Sequence, residues 1–128
     1  MRVDPATHRV TAKIKTGALA YASLAFAEGS VWLASHNPGR VLRIDPATNR
    51  VARTIDLGKV AEQGSGPLTS AWLAVGRRSL WVADHYVGTV SRIDPNTGKV
   101  VATIRVPGFP DEIDIGHGSV WVTVARYP

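Results

Sequence analysis

Cysteine is absent from the 128-residue sequence, and methionine occurs once. That absence excludes disulfides, thiolate metal sites and cysteine nucleophiles together, while leaving the compartment open. No run of about 18 apolar residues is present, so no transmembrane helix is expected. Residues 1–10 show no apolar stretch ahead of a cleavage site and open directly on a turn motif. The sequence as written therefore carries no signal peptide and reads as cytoplasmic. Helical periodicity is missing from every window of about 11 residues. A clustered basic patch is missing too: the 15 Lys and Arg residues are spread singly, with Arg77-Arg78 the one adjacent pair. A net charge of +5 and a pI near 10.1 thus describe a solubilising surface, and no nucleic-acid or membrane partner is expected. Phosphate-loop, Ser-His-Asp and zinc-site spacings are all lacking.

What is present is repetition. Arg43-Ile44-Asp45-Pro46-Ala47-Thr48-Asn49-Arg50-Val51 returns as Arg92-Ile93-Asp94-Pro95-Asn96-Thr97-Gly98-Lys99-Val100. It also stands at the start as Arg2-Val3-Asp4-Pro5-Ala6-Thr7-His8-Arg9-Val10. A second motif, Ser30-Val31-Trp32-Leu33-Ala34, returns as Ser79-Leu80-Trp81-Val82-Ala83 and Ser119-Val120-Trp121-Val122-Thr123. Its tryptophans lie 49 and 40 residues apart, a period that suits a four-stranded propeller blade. Valine, isoleucine, threonine and tryptophan alternate with polar residues between glycine- and proline-marked turns, which is strand chemistry. The strands of each unit are expected at 22–26, 71–75 and 111–115 (first), in the tryptophan motif (second), at 41–45 and 90–94 (third) and at 51–57 and 100–106 (fourth). In Asp-Pro-x-Thr the aspartate caps a turn, proline presets φ, and the fifth position (His8, Asn49 or Gly98) tolerates a left-handed backbone. His8 and His117 are accordingly turn residues, on the far side of the fold from the loops discussed below. Trp32, Trp81 and Trp121 are expected to pack between blades.

The stretch Gly88-Thr89-Val90-Ser91-Arg92-Ile93-Asp94-Pro95-Asn96-Thr97-Gly98-Lys99-Val100-Val101-Ala102-Thr103-Ile104, preceded by Ser79-Leu80-Trp81-Val82-Ala83, resembles the YVTN-type (YncE-like) β-propeller repeats. More distantly the chain is similar to streptogramin B lyase, whose blades share a glycine-then-tryptophan strand. Both resemblances imply an all-β propeller of four-stranded antiparallel blades, and neither fixes a function.

The strands fall as two, four, four and two, three blades' worth in residues 1–128, offset so that half-blades stand at both ends. A homodimer of six blades is expected to close the ring, since propellers typically hold about four to eight blades and open edges invite pairing. Function is expected at the mouth of the central channel, where the non-repetitive loops gather: 35–38, 84–86, 107–110 and the insertion 60–68. The ligand-binding candidates there are His36, Asn37, Asp84, His85, Tyr86, Phe109, Asp111 and Glu112. No cofactor is expected; a divalent cation, if one binds, would draw on His36, His85 and Asp114. Trp72, which breaks the repeat, is the one aromatic placed to face the channel. The first reading is a non-catalytic binding or scaffold module taking a small molecule, peptide or glycan. The alternative is a metal-dependent lyase or hydrolase, as similarity to streptogramin B lyase implies; the chain's only glutamates are Glu28, Glu62 and Glu112.

Overall fold

Alternating β-branched and polar residues between tight turns fold into twelve antiparallel strands in the computed structural model. They are β1 (Arg2–Asp4), β2 (Arg9–Ala12), β3 (Leu19–Ala27), β4 (Ser30–Asn37), β5 (Arg40–Asp45), β6 (Arg50–Asp56), β7 (Ala71–Gly76), β8 (Ser79–Asp84), β9 (Thr89–Ile93), β10 (Val100–Arg105), β11 (Phe109–Gly116) and β12 (Ser119–Ala125). The structure describes residues 1–17, 19–37, 39–57 and 71–126, with side chains described for all of these except 19–22 and 36–37. The insertion 60–68 and Pro38 lie outside the described residues.

Two sheets have four strands, β3-β4-β5-β6 and β7-β8-β9-β10, and two have a single pair, β1-β2 and β11-β12. Each is one propeller blade or half of one. β3 packs against β7, and β7 against β11, so these first strands line the channel. Ser23 on β3 accepts the Leu73 amide of β7 at 3.1 Å, which ties neighbouring inner strands together.

Local chemistry sets the turns. Asp45 accepts the Ala47 amide at 2.8 Å and the Thr48 hydroxyl at 3.0 Å. Asp94 accepts the Asn96 amide and Asp4 the Ala6 amide, each at 2.8 Å. The fifth position is left-handed as expected: φ is 54° at His8, 56° at Asn49 and 72° at Gly98. The same β-bulge follows in all three units, at Arg2/Val3, Arg43/Ile44 and Val100/Ala102.

Amide donation holds all three aspartates below the usual carboxylate range; the first cause is the backbone N–H of Ala6, Ala47 and Asn96 respectively. A depressed native pKa stabilises the fold above the unfolded value and loses that contribution as pH falls through the native one. Stability is therefore expected to decline as the pH drops below about 4, where unfolded aspartates begin to bind protons first. Asp45→Asn with Asp94→Asn should flatten this acid limb in denaturant titrations at successive pH values. An unchanged slope would mean the turns carry no linked protons.

Packing between blades follows strand alternation. Ala25, Ala27, Trp32, Ala34, Val41 and Ile55 of the β3–β6 blade meet Leu73, Val75, Leu80, Val82 and Ile93 of the next. The opposite face of that next blade, with Ala74, Trp81, Ala83 and Val90, meets Ile113, Ile115, Val120 and Val122. Trp32 is 1% exposed and its indole N–H donates to the Ala27 carbonyl at 3.3 Å. Arg43 lies over the Trp32 ring and Arg92 over Trp81, at 5.9 and 5.6 Å from the centroids. The Nε of each donates to a serine two residues before its tryptophan, Ser30 or Ser79, at 2.8 Å. In the single chain Trp121 is 61% exposed, on the two-stranded sheet β11-β12.

Candidate functional site

At the end of the channel where β7 and β11 begin, side chains from β7, β11 and the turn after β8 gather. His85 follows β8, in a turn held as the Asp-Pro turns are. Asp84 accepts the amides of Tyr86 and Val87, each at 3.2 Å, and its carbonyl accepts the Gly88 amide at 3.0 Å. Asp84 thus stands at the mouth as the residue that shapes the turn. The turn presses the His85 ring onto Phe109, stacked at 5.4 Å with 28° between planes, while Tyr86 meets it edge-on at 5.1 Å.

Asp111 sits at the start of β11 on the face turned toward β7. Its Oδ1 accepts the indole N–H of Trp72 at 3.2 Å and lies 3.9 Å from His85 Nδ1. At 3.9 Å there is no hydrogen bond, only an attraction that requires a protonated imidazole. His85 Nδ1 is buried and has no hydrogen-bond partner among the described residues. The Asp111 side chain is 50% exposed, so this corner combines a solvated carboxylate, an unsatisfied ring nitrogen and two partly exposed aromatics, Trp72 and Phe109. Beside it an open cleft of about 580 Å³ shares Tyr86 and Phe109 and is walled on its far side by Gly88 and Arg105.

Among the described side chains, Glu112 and Asp114 make their contacts elsewhere. Glu112 and Asp111 are neighbours in β11 at a register shift between Pro110 and Ile113, where both stand opposite Thr123. The Glu112 amide is held by Thr123 at 2.8 Å, and its side chain is exposed. Asp114, two positions on, shares the face of Glu112, with its carboxylate on its own neighbour's amide, Ile115, at 2.7 Å. Of the two acids, Asp111 contacts Trp72 and His85, and Glu112 is exposed. His36 and Asn37 were expected in a loop, but β4 continues through Asn37, which pairs with Leu19. Their side chains lie outside the described ones. Phe109 and Pro110 likewise open β11, opposite Ala125 and Val124, because Pro110 needs no donor on a sheet edge. His117, with φ 48°, stands in the β11–β12 turn at the other end of the fold. The arginine–serine–tryptophan clamp went unrecognised in the sequence, although Arg43 and Arg92 follow Ser30 and Ser79 at one fixed spacing of 13 residues.

Among the described residues no group of three or more His, Cys, Asp or Glu side chains could hold a metal ion. Among the described residues no helix is long and apolar enough to cross a membrane.

No family model matches the chain, and no curated protein matches it in sequence. Solved structures do. Hydrazine synthase of Kuenenia stuttgartiensis is similar over 81% of this chain and 28% of its own, with a TM-score of 0.65 and 17% identity. AztD of Citrobacter koseri, also solved in its apo form, is similar over 98% of this chain and 33% of its own, with a TM-score of 0.66 and 15% identity. These likenesses concern the fold, which is that of a β-propeller; the chain spans about a third of the length of the structures it matches.

Proposed function

We propose that the chain is a non-catalytic binding module of the YVTN type, with its ligand site at the channel mouth around His85, Trp72, Phe109 and Asp111. One observation carries the reading: the buried His85 Nδ1 without a partner, beside a half-exposed carboxylate. Leaving such an atom unsatisfied costs about 1–3 kcal/mol, which a bound polar group would relieve. Phe109 and Tyr86 offer a surface for a flat or sugar ring, and Asp111 an acceptor for a ligand N–H or O–H. A small molecule, a peptide end or a glycan meets that description. The metal-dependent lyase reading gains no support from the described residues, which bring one histidine and one carboxylate together.

The test is a fragment screen of amines, amino acids and monosaccharides, read by NMR shifts of the His85 ring and by Trp72 fluorescence. His85→Ala with Asp111→Ala is expected to weaken any hit at least about tenfold while leaving melting nearly intact. His8→Ala with His117→Ala, at the opposite end, should change nothing. Loss with the second pair but not the first would place the binding face at the other end. Indifference to both would make the protein a scaffold.

A further inference from the structure

The two open sides of the molecule are the two halves of an interface that the chain already makes twice. On the β3–β6 blade, Leu24 and Phe26 are 62% and 69% exposed, beside the partly buried Val31 and Leu33 and the buried Ile44. These five occupy the positions that Leu73, Val75, Leu80, Val82 and Ile93 occupy one repeat later, where the Trp32 face covers them. Here Leu24 and Phe26 stay exposed, and Leu24, Val31, Leu33 and Ile44 wall a cleft of about 340 Å³ that Met1, Arg2 and Ile14 border on the other side. At the opposite side of the molecule stands the exposed face of β11-β12, with Trp121, Thr123 and Asp114.

The strand edges carry the same message in more detail. Where β4 meets β5, Trp32 is opposite Arg43 and Val31 opposite Ile44; where β8 meets β9, Trp81 is opposite Arg92 and Leu80 opposite Ile93. In both, the arginine clamps the serine and the tryptophan ring. The strand β12 has Ser119 and Trp121 but no neighbour on that edge, hence no arginine. The strand β1 has the matching Arg2 but no serine or tryptophan. Arg2 keeps Nη1 on the Pro46 carbonyl at 2.8 Å, and its Nε has no partner among the described residues. Trp121 already has its own indole anchored as Trp32 does, on the Gly116 carbonyl at 3.0 Å.

We propose that a second copy of this chain occupies both open sides. β12 of one copy pairs antiparallel with β1 of the other, Trp121 opposite Arg2 and Val120 opposite Val3. Arg2 then lies over the Trp121 ring with its Nε on Ser119, and the Trp121 face covers Leu24 and Phe26. Two copies make six blades, inside the usual range of about four to eight, whereas one copy makes three and three copies nine. A twofold axis closes both junctions at once, so no edge is left to propagate. The inference stands on the strand edges and not on the mouth site, though it completes the channel that the mouth opens into.

The 128-residue chain itself is the test material. Sedimentation at about 50 μM should give twice the 13.7 kDa mass, and Trp121→Arg should weaken association at least about a hundredfold, since a central aromatic anchor is replaced by a charge. Register is checked separately, because the chain has no cysteine of its own. Val3→Cys combined with Val120→Cys should oxidise to a covalent dimer. Either change alone, or Val10→Cys with Val120→Cys one strand further out, should not. A single-chain mass at that concentration, a mass of three or more copies, or cross-linking equal in all pairs would overturn the proposal.

Discussion

Replacing Trp32 by alanine is expected to cost about 3–5 kcal/mol, measured as a lower urea midpoint with an unchanged slope. The ring is 1% exposed and sits in the cluster of Val41, Ile55, Leu73 and Val82 that joins two blades. Removing it opens a cavity between two sheets, and sheets tied along several edges cannot collapse far to fill it. It also releases the Ala27 carbonyl and takes away the surface beneath the Arg43 guanidinium. Trp121→Ala makes the contrast. In dilute solution, with single chains dominant, the exposed ring should cost less than about 1 kcal/mol. At concentrations that favour pairing the same change should cost far more. Trp81, partly buried against Ile113 and Val122, should fall between the two. A Trp32→Ala midpoint within error of the parent would mean that blade-to-blade packing contributes little to stability.

That contrast also marks where the sequence is legible. The strands and the Asp-Pro-x-Thr turns are written locally, because side-chain alternation and one aspartate determine them within nine residues or so. The burial of a tryptophan is not local: it depends on whether another blade follows, so three equal motifs give Trp32, Trp81 and Trp121 three different environments. The continuation of β4 through His36 is non-local as well, since it rests on Leu19 pairing with Asn37 across a bulge. The relation of Asp111 to Glu112 is not written locally either, because a register shift between Pro110 and Ile113 interrupts the alternation where both acids stand. The meeting of His85 with Asp111 joins residues of two blades, and the equivalence of the loops brought it into view without fixing the distance. The serine–arginine clamp has a local signal, the fixed spacing, which is visible only once both repeats are laid in register.

Gly108→Ala is expected to destabilise by about 2–6 kcal/mol and to take the mouth site with it. Its φ of +116° belongs to a region that side chains scarcely enter, a strain worth about 1–3 kcal/mol. A Cβ there would lie 2.6 Å from Val124 Cγ1 and 2.9 Å from the Ala125 carbonyl oxygen, so overpacking adds about 1–3 kcal/mol more. The carbonyl belongs to the backbone of β12 and cannot rotate away; the loop must retreat instead. Phe109 is the next residue, and its stacking on His85 at 5.4 Å depends on that close approach. The His85 ring protons should therefore lose their upfield ring-current shift in the variant even under conditions where it remains folded. Gly29→Ala serves as the reference, since φ there is +66° and nothing lies within 4 Å of the added carbon. That change should cost only the left-handed backbone penalty, about 1–2 kcal/mol, and leave the His85 signals in place. Equal losses for the two glycines, with His85 unmoved in both, would show that the 107–109 loop does not position the mouth.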